Sequence, residues 1–405
     1  MTRQEPQECV LLKYGELALK GRNRGLFERH LLQAVEHAMR TDGEQVRISR
    51  REGVLVLSHG LPRHELMERA VHVFGVSVVQ PALRTACDVG AATEAVLLAL
   101  AGKYGDHDRG ARTFAIRARR RNKTFPMTSH ELAAHIGERV RDVHGWRVDL
   151  GQPDVEVVVE ADKREVFVSL ERHRGQGGLP AGASGRALVL LSGGYDSPVA
   201  AHRAMRRGLR CEFVHFSGAP YTDPSSTYKA YALLRELDRY QGRSRLHVVA
   251  IGKAQRALAT AGAGKLQVIA QRRLMVRLAS ELARELNAQA LVTGDSIGQV
   301  ASQTLSNLAT VEQASSVPVL RPLLTWDKSE IIAEAERIGT ADISALPDED
   351  CCALLAPPRV ATRTGPGEFE GIEGRVELAE LVPKLLADAQ VLTVGGTRSQ
   401  AGPLA

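Results

Sequence analysis

Apolar residues recur along the chain in two rhythms, and the change falls near residue 186. Before it, short β-like runs at residues 10–14, 46–48 and 54–57 lie among two amphipathic helices, which predicts a small α+β unit. A second α+β unit follows, with a helical run at 91–100, a strand at 113–118, a helix at about 129–143 and strands at 155–160 and 165–170. Thr128 and Glu131 form a capping box at the start of that helix, and His144-Gly145 closes it. Past residue 186, near-continuous apolar runs at 187–191, 211–216, 246–251 and 290–293 alternate with helices that begin at Pro198 and span about 228–240 and 265–286. Strands apolar on both faces, separated by helices, predict a parallel sheet covered on both sides. The stretch 175–185, GQGGLPAGASG, has no periodicity; a linker is favoured over a phosphate-wrapping loop. The expected domains are residues 1–75, 76–172 and 187–405, with a linker at 173–186.

A length of 405 residues agrees with two or three domains at about 150 residues each. Charged residues make up 25% of the chain without long single-sign blocks, so nothing opposes a folded, soluble protein. The net charge of +6 favours a polyanion only if it is concentrated on one face. Five cysteines, an odd number, argue against a disulfide framework and for a reducing compartment. The polar, acidic amino end does not read as a signal peptide, and no apolar stretch reaches the ~18 residues of a membrane span. A cytoplasmic protein without a membrane partner is expected.

The run Ala187–Leu191 passes directly into Ser192-Gly193-Gly194-Tyr195-Asp196-Ser197-Pro198 and then a helix. Two glycines let backbone N–H groups approach phosphate oxygens, the serines add hydroxyl donors, and Pro198 suits a first helical turn. Asp196 stands among groups that favour anions, which makes sense if it holds a Mg²⁺ bridging the phosphates. A Walker pattern is absent: around Gly262-Ala263-Gly264-Lys265, Ala259 stands where the first glycine belongs and Leu266 where Ser or Thr belongs. A GxGxxG fingerprint is absent too. The SGGxDSP string resembles the PP-loop ATP pyrophosphatases, which cleave ATP between the α and β phosphates and transfer AMP.

Five separated stretches resemble, in order, the tRNA 4-thiouridine synthetase family (tRNA uridine sulfurtransferase). They are Tyr14-Gly15-Glu16 with Leu19-Lys20-Gly21-Arg22-Asn23, Gly177-Gly178-Leu179-Pro180, Arg272-Arg273-Leu274-Met275, Thr293-Gly294-Asp295-Ser296 with residues 298–304, and Asp350-Cys351-Cys352. The resemblance implies a ferredoxin-like domain, a THUMP domain that holds tRNA and an α/β parallel-sheet PP-loop domain. It implies ATP and Mg²⁺ as cofactors, and nucleotide contacts at Leu190, Leu191, Ser192, Gly193, Gly194, Asp196, Ser197, His215, Phe216, Arg272, Gly294 and Gln303. From the residues alone, His215 reads rather as a packed core histidine and Arg272 as a solvated helix charge. Expected partners are tRNA, a cysteine desulfurase or another persulfide donor, and a second copy in a homodimer. Some members supply sulfur for the thiazole of thiamine, and some continue into a rhodanese domain; this sequence is expected to belong with the shorter members. The rival readings are another adenylating tRNA modifier and an RNA-binding protein with a vestigial ATP site.

The densest positive patch, with Arg117, Arg119, Arg120, Arg121 and Lys123, is flanked by Phe114 and Phe125. Guanidinium groups bind phosphates and aromatic faces stack on unpaired bases, so this stretch could grip RNA; a solvated turn is the plainer alternative. For sulfur, the resemblance singles out Cys352, with Asp196, as the catalytic pair, and leaves Cys351 open. A polar run before the two cysteines and Pro357-Pro358 after them predict a loop, and the spacing supports no zinc or iron–sulfur site. Cys9, Cys87 and Cys211 read as packing residues.

Overall fold

The computed structural model describes residues 5–19, 21–41, 43, 45–58, 60–105, 110, 112–121, 123–349, 351 and 354–394. Cys352 and Asp350 lie outside the described residues. The chain divides into two compact units, residues 1–25 with 35–178 and residues 26–34 with 179–405.

From the amino end the elements are β1 (Gln7–Lys13), α1 (Arg24–Ala38), β2 (Arg47–Arg51), β3 (Val54–Ser58), α2 (Arg63–Ala70) and β4 (Val78–Ala86). There follow α3 (Val89–Tyr104), β5 (Thr113–Arg120), α4 (Ser129–His144), β6 (Arg147–Val148), β7 (Val155–Ala161), β8 (Glu165–Ser169) and β9 (His173–Arg174). These nine strands form one sheet in the order β2-β3-β1-β4-β8-β7-β5-β6, with β9 beside β4. The junction is β4, paired antiparallel to β1 along its length and to β8 over residues 83–86. The hydrophobic pattern misses β4 because Gln80, Pro81 and Arg84 break it. Pro81 is tolerated because it falls between the partners on that side, β9 at residues 78–79 and β8 at 83–86, where no ladder bond is required.

Trp146, Phe114, Leu132, Ile136 and Val140 fill the core under α4. The predicted capping box is present, with Thr128 Oγ1 accepting from the Glu131 N–H and Glu131 Oε2 from the Thr128 N–H; Gly145 ends the helix at φ 69°. Phe125 and Phe114 are 4% and 1% exposed, so the expected aromatic platform for bases does not exist. Both rings belong to the core cluster, Phe114 from β5 and Phe125 from the turn that follows it.

The second unit contains β10 (Arg186–Leu190), α5 (Asp196–Arg206), β11 (Arg210–Ser217), α6 (Ser225–Gln241), β12 (Arg245–Ala250), α7 (Gly252–Thr260) and α8 (Gln267–Glu285). It continues with β13 (Ala290–Val292), α9 (Leu305–Glu312), β14 (Val319–Leu320), α10 (Lys328–Arg337), α11 (Ala341–Ser344), α12 (Glu370–Arg375), α13 (Leu378–Ala387) and β15 (Gln390–Thr393). The order β14-β13-β10-β11-β12-β15 is parallel throughout except for β15, which pairs antiparallel with β12 at the edge. The long helix α8 buries Ile269, Leu274, Leu278 and Leu282 at helical spacing in the main core. Residues 173–186 are held by backbone bonds at both ends: Gly177 N–H to the Val76 carbonyl at 2.8 Å in the first unit, and Ser184 N–H to the Gly208 carbonyl at 2.9 Å in the second.

Replacing Thr128 with Ala removes the cap and is expected to cost about 1 kcal/mol. Trp146 fluorescence during urea unfolding of a Trp326→Phe background reads this, and an unchanged midpoint would refute it.

Candidate active site

Strand β10 connects to β11 on one side while its other neighbour, β13, connects to β14, so the connections leaving β10 and β13 diverge and open a crevice beyond the carboxyl ends. Ligands bind at such a point in open α/β sheets. The loop at 191–195 turns there from β10 into α5. Ser197 Oγ accepts from the Ser192 N–H at 2.9 Å and lies 3.1 Å from Ser192 Oγ, which ties the loop to the first turn of the helix. Gly294, just past β13, touches that turn: a Cβ at 294 would stand 2.7 Å from Ser197 N and 3.0 Å from Asp196 Cβ. Any side chain would push the helix away.

Asp196 opens α5, where backbone N–H groups and the helix dipole favour anions. Both its oxygens face Lys328 Nζ, at 3.1 and 3.0 Å, and Gln299 Nε2 donates to Oδ1 at 3.4 Å. Lys328 is the first residue of α10, placed by the capping box of Asp327 and Glu330. Its ammonium also lies 5.4 Å from the centroid of the Tyr195 ring. The sequence reading missed Lys328; the capping box announces a helix start but not where its first side chain points.

Asp295 is a buried hub. Arg272 Nη2 donates to Oδ1, Gln303 Nε2 to the same oxygen at 3.4 Å, and Thr293 Oγ1 to Oδ2 at 2.8 Å, while Arg321 Nε reaches Oδ2 at 3.3 Å. Burial pushes the Asp295 pKa up, but the charges of Arg272 and Arg321 and the Thr293 hydrogen bond outweigh it and hold the carboxyl below its ordinary value. Arg272 is therefore a half-buried, paired guanidinium rather than a solvated helix charge. Gln303 Oε1 is buried and without a partner among the described residues, an acceptor left for a donor from a ligand.

His215, at 4% exposure, is bound on both ring nitrogens, Nδ1 to the Leu191 carbonyl at 2.9 Å and Nε2 to Ser226 Oγ at 3.2 Å. A carbonyl only accepts, so Nδ1 carries a proton and the ring braces the end of β10. Leu191 and Phe216 are buried and Leu190 half-buried. The loop, Asp196, Gly294, Arg272 and Gln303 thus form one connected set, with His215 and Phe216 behind it.

In the first unit, three of the five basic candidates have structural partners. Arg117 binds Glu156 at 3.2 Å and the Leu150 carbonyl at 2.7 Å, and Arg121 binds the Glu52 carbonyl at 2.6 Å and Glu160 at 3.3 Å. Arg120 reaches the Phe125 carbonyl at 3.5 Å. Arg119 and Lys123 are exposed, with no partner among the described residues. Of the described cysteines, Cys9 and Cys211 are buried thiols whose pKa values desolvation pushes up to about 12, as inert packing residues should be. Cys351 is 5% exposed. Among the described residues no group of three or more metal-ligating side chains occurs, and no helix is long and apolar enough to cross a membrane.

Sheet, switch point and loop together define a PP-loop α/β protein preceded by ferredoxin-like and THUMP domains. Family models match in that order: a ThiI ferredoxin-like domain at residues 9–79, a THUMP domain at 92–171 and the thiamine biosynthesis protein ThiI at 182–378. The chain belongs to the tRNA sulfurtransferase family. A probable tRNA sulfurtransferase of Nocardia farcinica is 60% identical over 400 residues, covering 98% of this chain and 97% of its own length. That of Thermus thermophilus is 42% identical over 384 residues, 94% of this chain and 92% of the other. The crystal structure of a 4-thiouridine synthetase–RNA complex with bound ATP superposes with a TM-score of 0.87 at 32% identity, covering 96% of this chain and 100% of that one.

A depressed carboxylate pKa stabilises the fold above the unfolded value, near 3.8 for Asp295, and that contribution is lost as pH falls through the folded value. Asp295→Asn is expected to cost about 3–5 kcal/mol at pH 7, because it leaves the Arg272 guanidinium without a carboxylate and Arg321 with Glu312 alone. The difference from the parent should shrink in urea unfolding below pH 4, and a constant difference would contradict the charge assignment.

Proposed function

We propose that the chain is a tRNA uridine 4-sulfurtransferase of the ATP pyrophosphatase type, acting on the uridine at position eight. What supports this most is the connected set from the 192–197 loop through Asp196, Gly294, Asp295 and Gln303, in a chain similar over nearly its whole length to a 4-thiouridine synthetase–RNA complex with bound ATP. ATP binds with its phosphates on the loop and helix N-terminus, and Gln303 Oε1 accepts from the nucleotide. Arg272 is held toward the same crevice by Asp295.

A carboxylate at the start of the helix beside a phosphate loop suits Mg²⁺, which takes one or two protein carboxylates and completes its shell with phosphate oxygens and water. Asp196 would hold it, and the ion would neutralise charge on the phosphates. Lys328, paired with Asp196, adds a second positive charge at the same place.

Uracil O4 attacks the α-phosphorus and pyrophosphate leaves, giving an O4-adenylated base. The terminal sulfur of a Cys352 persulfide then attacks C4, and AMP departs with the original oxygen. An external thiol cleaves the remaining S–S bond, releasing 4-thiouridine and leaving Cys352 in a disulfide that a reductant must clear. The persulfide is loaded by a cysteine desulfurase or another donor. tRNA is gripped in part by Arg119 and Lys123, which are free to meet phosphates.

With an unmodified tRNA transcript, Mg-ATP, cysteine and a desulfurase, the protein should form pyrophosphate and a thiolated base absorbing in the near ultraviolet. Pyrophosphate without the thiolated base would leave only another adenylating modifier, and no ATP use would remove the enzymatic reading. Cys352→Ala should stop thiolation and spare ATP binding, whereas Lys328→Met should slow adenylation by about 10²–10³-fold. Full thiolation by Cys352→Ala would refute the persulfide role. Replacing Arg119 and Lys123 together by Ala should weaken tRNA binding and lower the slope of log K against log salt by about 1–2; an unchanged slope would place the RNA elsewhere.

A further inference from the structure

The segment from α11 to residue 349 lies directly over the phosphate loop. Ser344 Oγ donates to the Gly194 carbonyl at 3.3 Å. A Cβ built on Gly193 would come within 2.5 Å of Asp348 Oδ2 and 3.0 Å of Lys229 Cδ, so a glycine there makes room for this cover. Lys229, on α6, is 7% exposed. Its Nζ donates to the Leu346 carbonyl at 2.5 Å and to Asp348 Oδ1 at 3.0 Å. An ammonium group so far out of water needs such partners, and a carboxylate set against a loop suited to phosphate needs the ammonium.

The segment is pinned again one residue on. Glu349 Oε2 accepts from the Asp223 N–H at 2.9 Å, and the Glu349 N–H donates to Ser225 Oγ at 3.2 Å. Two residues later the Cys351 carbonyl accepts from Gln255 Nε2 at 2.8 Å. Of these ties only the Lys229–Asp348 pair joins opposite full charges, and both of its side chains lie against Gly193.

We propose that Lys229 is a positioning residue: by holding Leu346 and Asp348 against Gly193, it fixes the segment that leads to Cys351 beside the phosphate loop. Adenylated base and sulfur carrier are thereby kept within reach of each other. The link to sulfur delivery rests on the function proposed above; the positioning itself does not.

The test compares the full chain with Lys229→Met, Asp348→Asn and the double variant Lys229→Met/Asp348→Leu. The first readout is the rate of iodoacetamide labelling of Cys351 and Cys352 in the native protein, followed by peptide mapping. Each single replacement leaves one uncompensated charge and should speed labelling by about tenfold, while the double variant, with no charge to bury, should return to within about threefold of the parent. The second readout is single-turnover thiolation beside ATP affinity: Asp348→Asn should thiolate about tenfold more slowly with its ATP Kd within about threefold of the parent. Asp348→Asn is near-isosteric at a half-buried carboxylate, so it keeps the test open if Lys229→Met does not fold. Equal labelling in the parent and in Asp348→Asn overturns the positioning role. Faster labelling with unchanged thiolation overturns its link to sulfur delivery. Faster labelling in a protein whose parent thiolates nothing upholds the positioning and sinks the proposed reaction instead.

Discussion

Gly294 and the first turn of α5 meet backbone to backbone, and the second unit's chemistry follows from that contact. With 2.7 Å between a would-be Cβ and Ser197 N, no other residue fits without moving the helix. The contact joins the ends of β10 and β13 at the switch point of the sheet. It sets Ser197 against Ser192 and turns Asp196 toward Lys328 and Gln299. A shift of about 1 Å in such a helix would displace the donors, the carboxylate and the lysine together, and positional errors of that size are costly in catalysis.

Around this contact, carboxylates and cations come in pairs drawn from distant elements. Asp196 faces Lys328, Asp295 faces Arg272 and Arg321, and Asp348 faces Lys229. A polyanion therefore meets charges already engaged, and its attraction comes from oriented N–H groups and from cations that can exchange partners. Paired charges removed from water contribute little net stability, yet breaking one pair is expensive. Their effect is to fix which segment lies against which.

Much of this was legible in the sequence, for physical reasons. Strands buried on both faces need long apolar runs, so the parallel sheet showed itself at residues 187–191, 211–216 and 246–251. A phosphate loop needs small residues in fixed order, so Ser192 to Ser197 was readable as a unit. Lys328 and Lys229 were not, because a basic residue at a helix start or on a helix face looks the same whether it meets solvent or a carboxylate about 130 or 120 positions away. Asp295 stood inside a quoted motif, but its role as a hub depends on Arg321, which no local pattern connects to it. Phe114 and Phe125 misled in the other direction: aromatic rings beside arginines suggested a stacking surface, but both are packed in the core, one from β5 and one from the turn after it. Strand β4 escaped because a proline and two polar residues interrupted its rhythm.

That strand bears on how the protein can be divided. Family matches end at residue 79 and resume at 92, as though a spacer lay between two modules. Most of β4 lies in the interval, hydrogen-bonded to β1 on one flank and β8 on the other. The apparent spacer is the central seam of a continuous sheet. A fragment cut there would expose an unpaired strand edge on either side, an invitation to aggregate. The ferredoxin-like and THUMP portions are thus a single plate built on one continuous sheet, however separate their names.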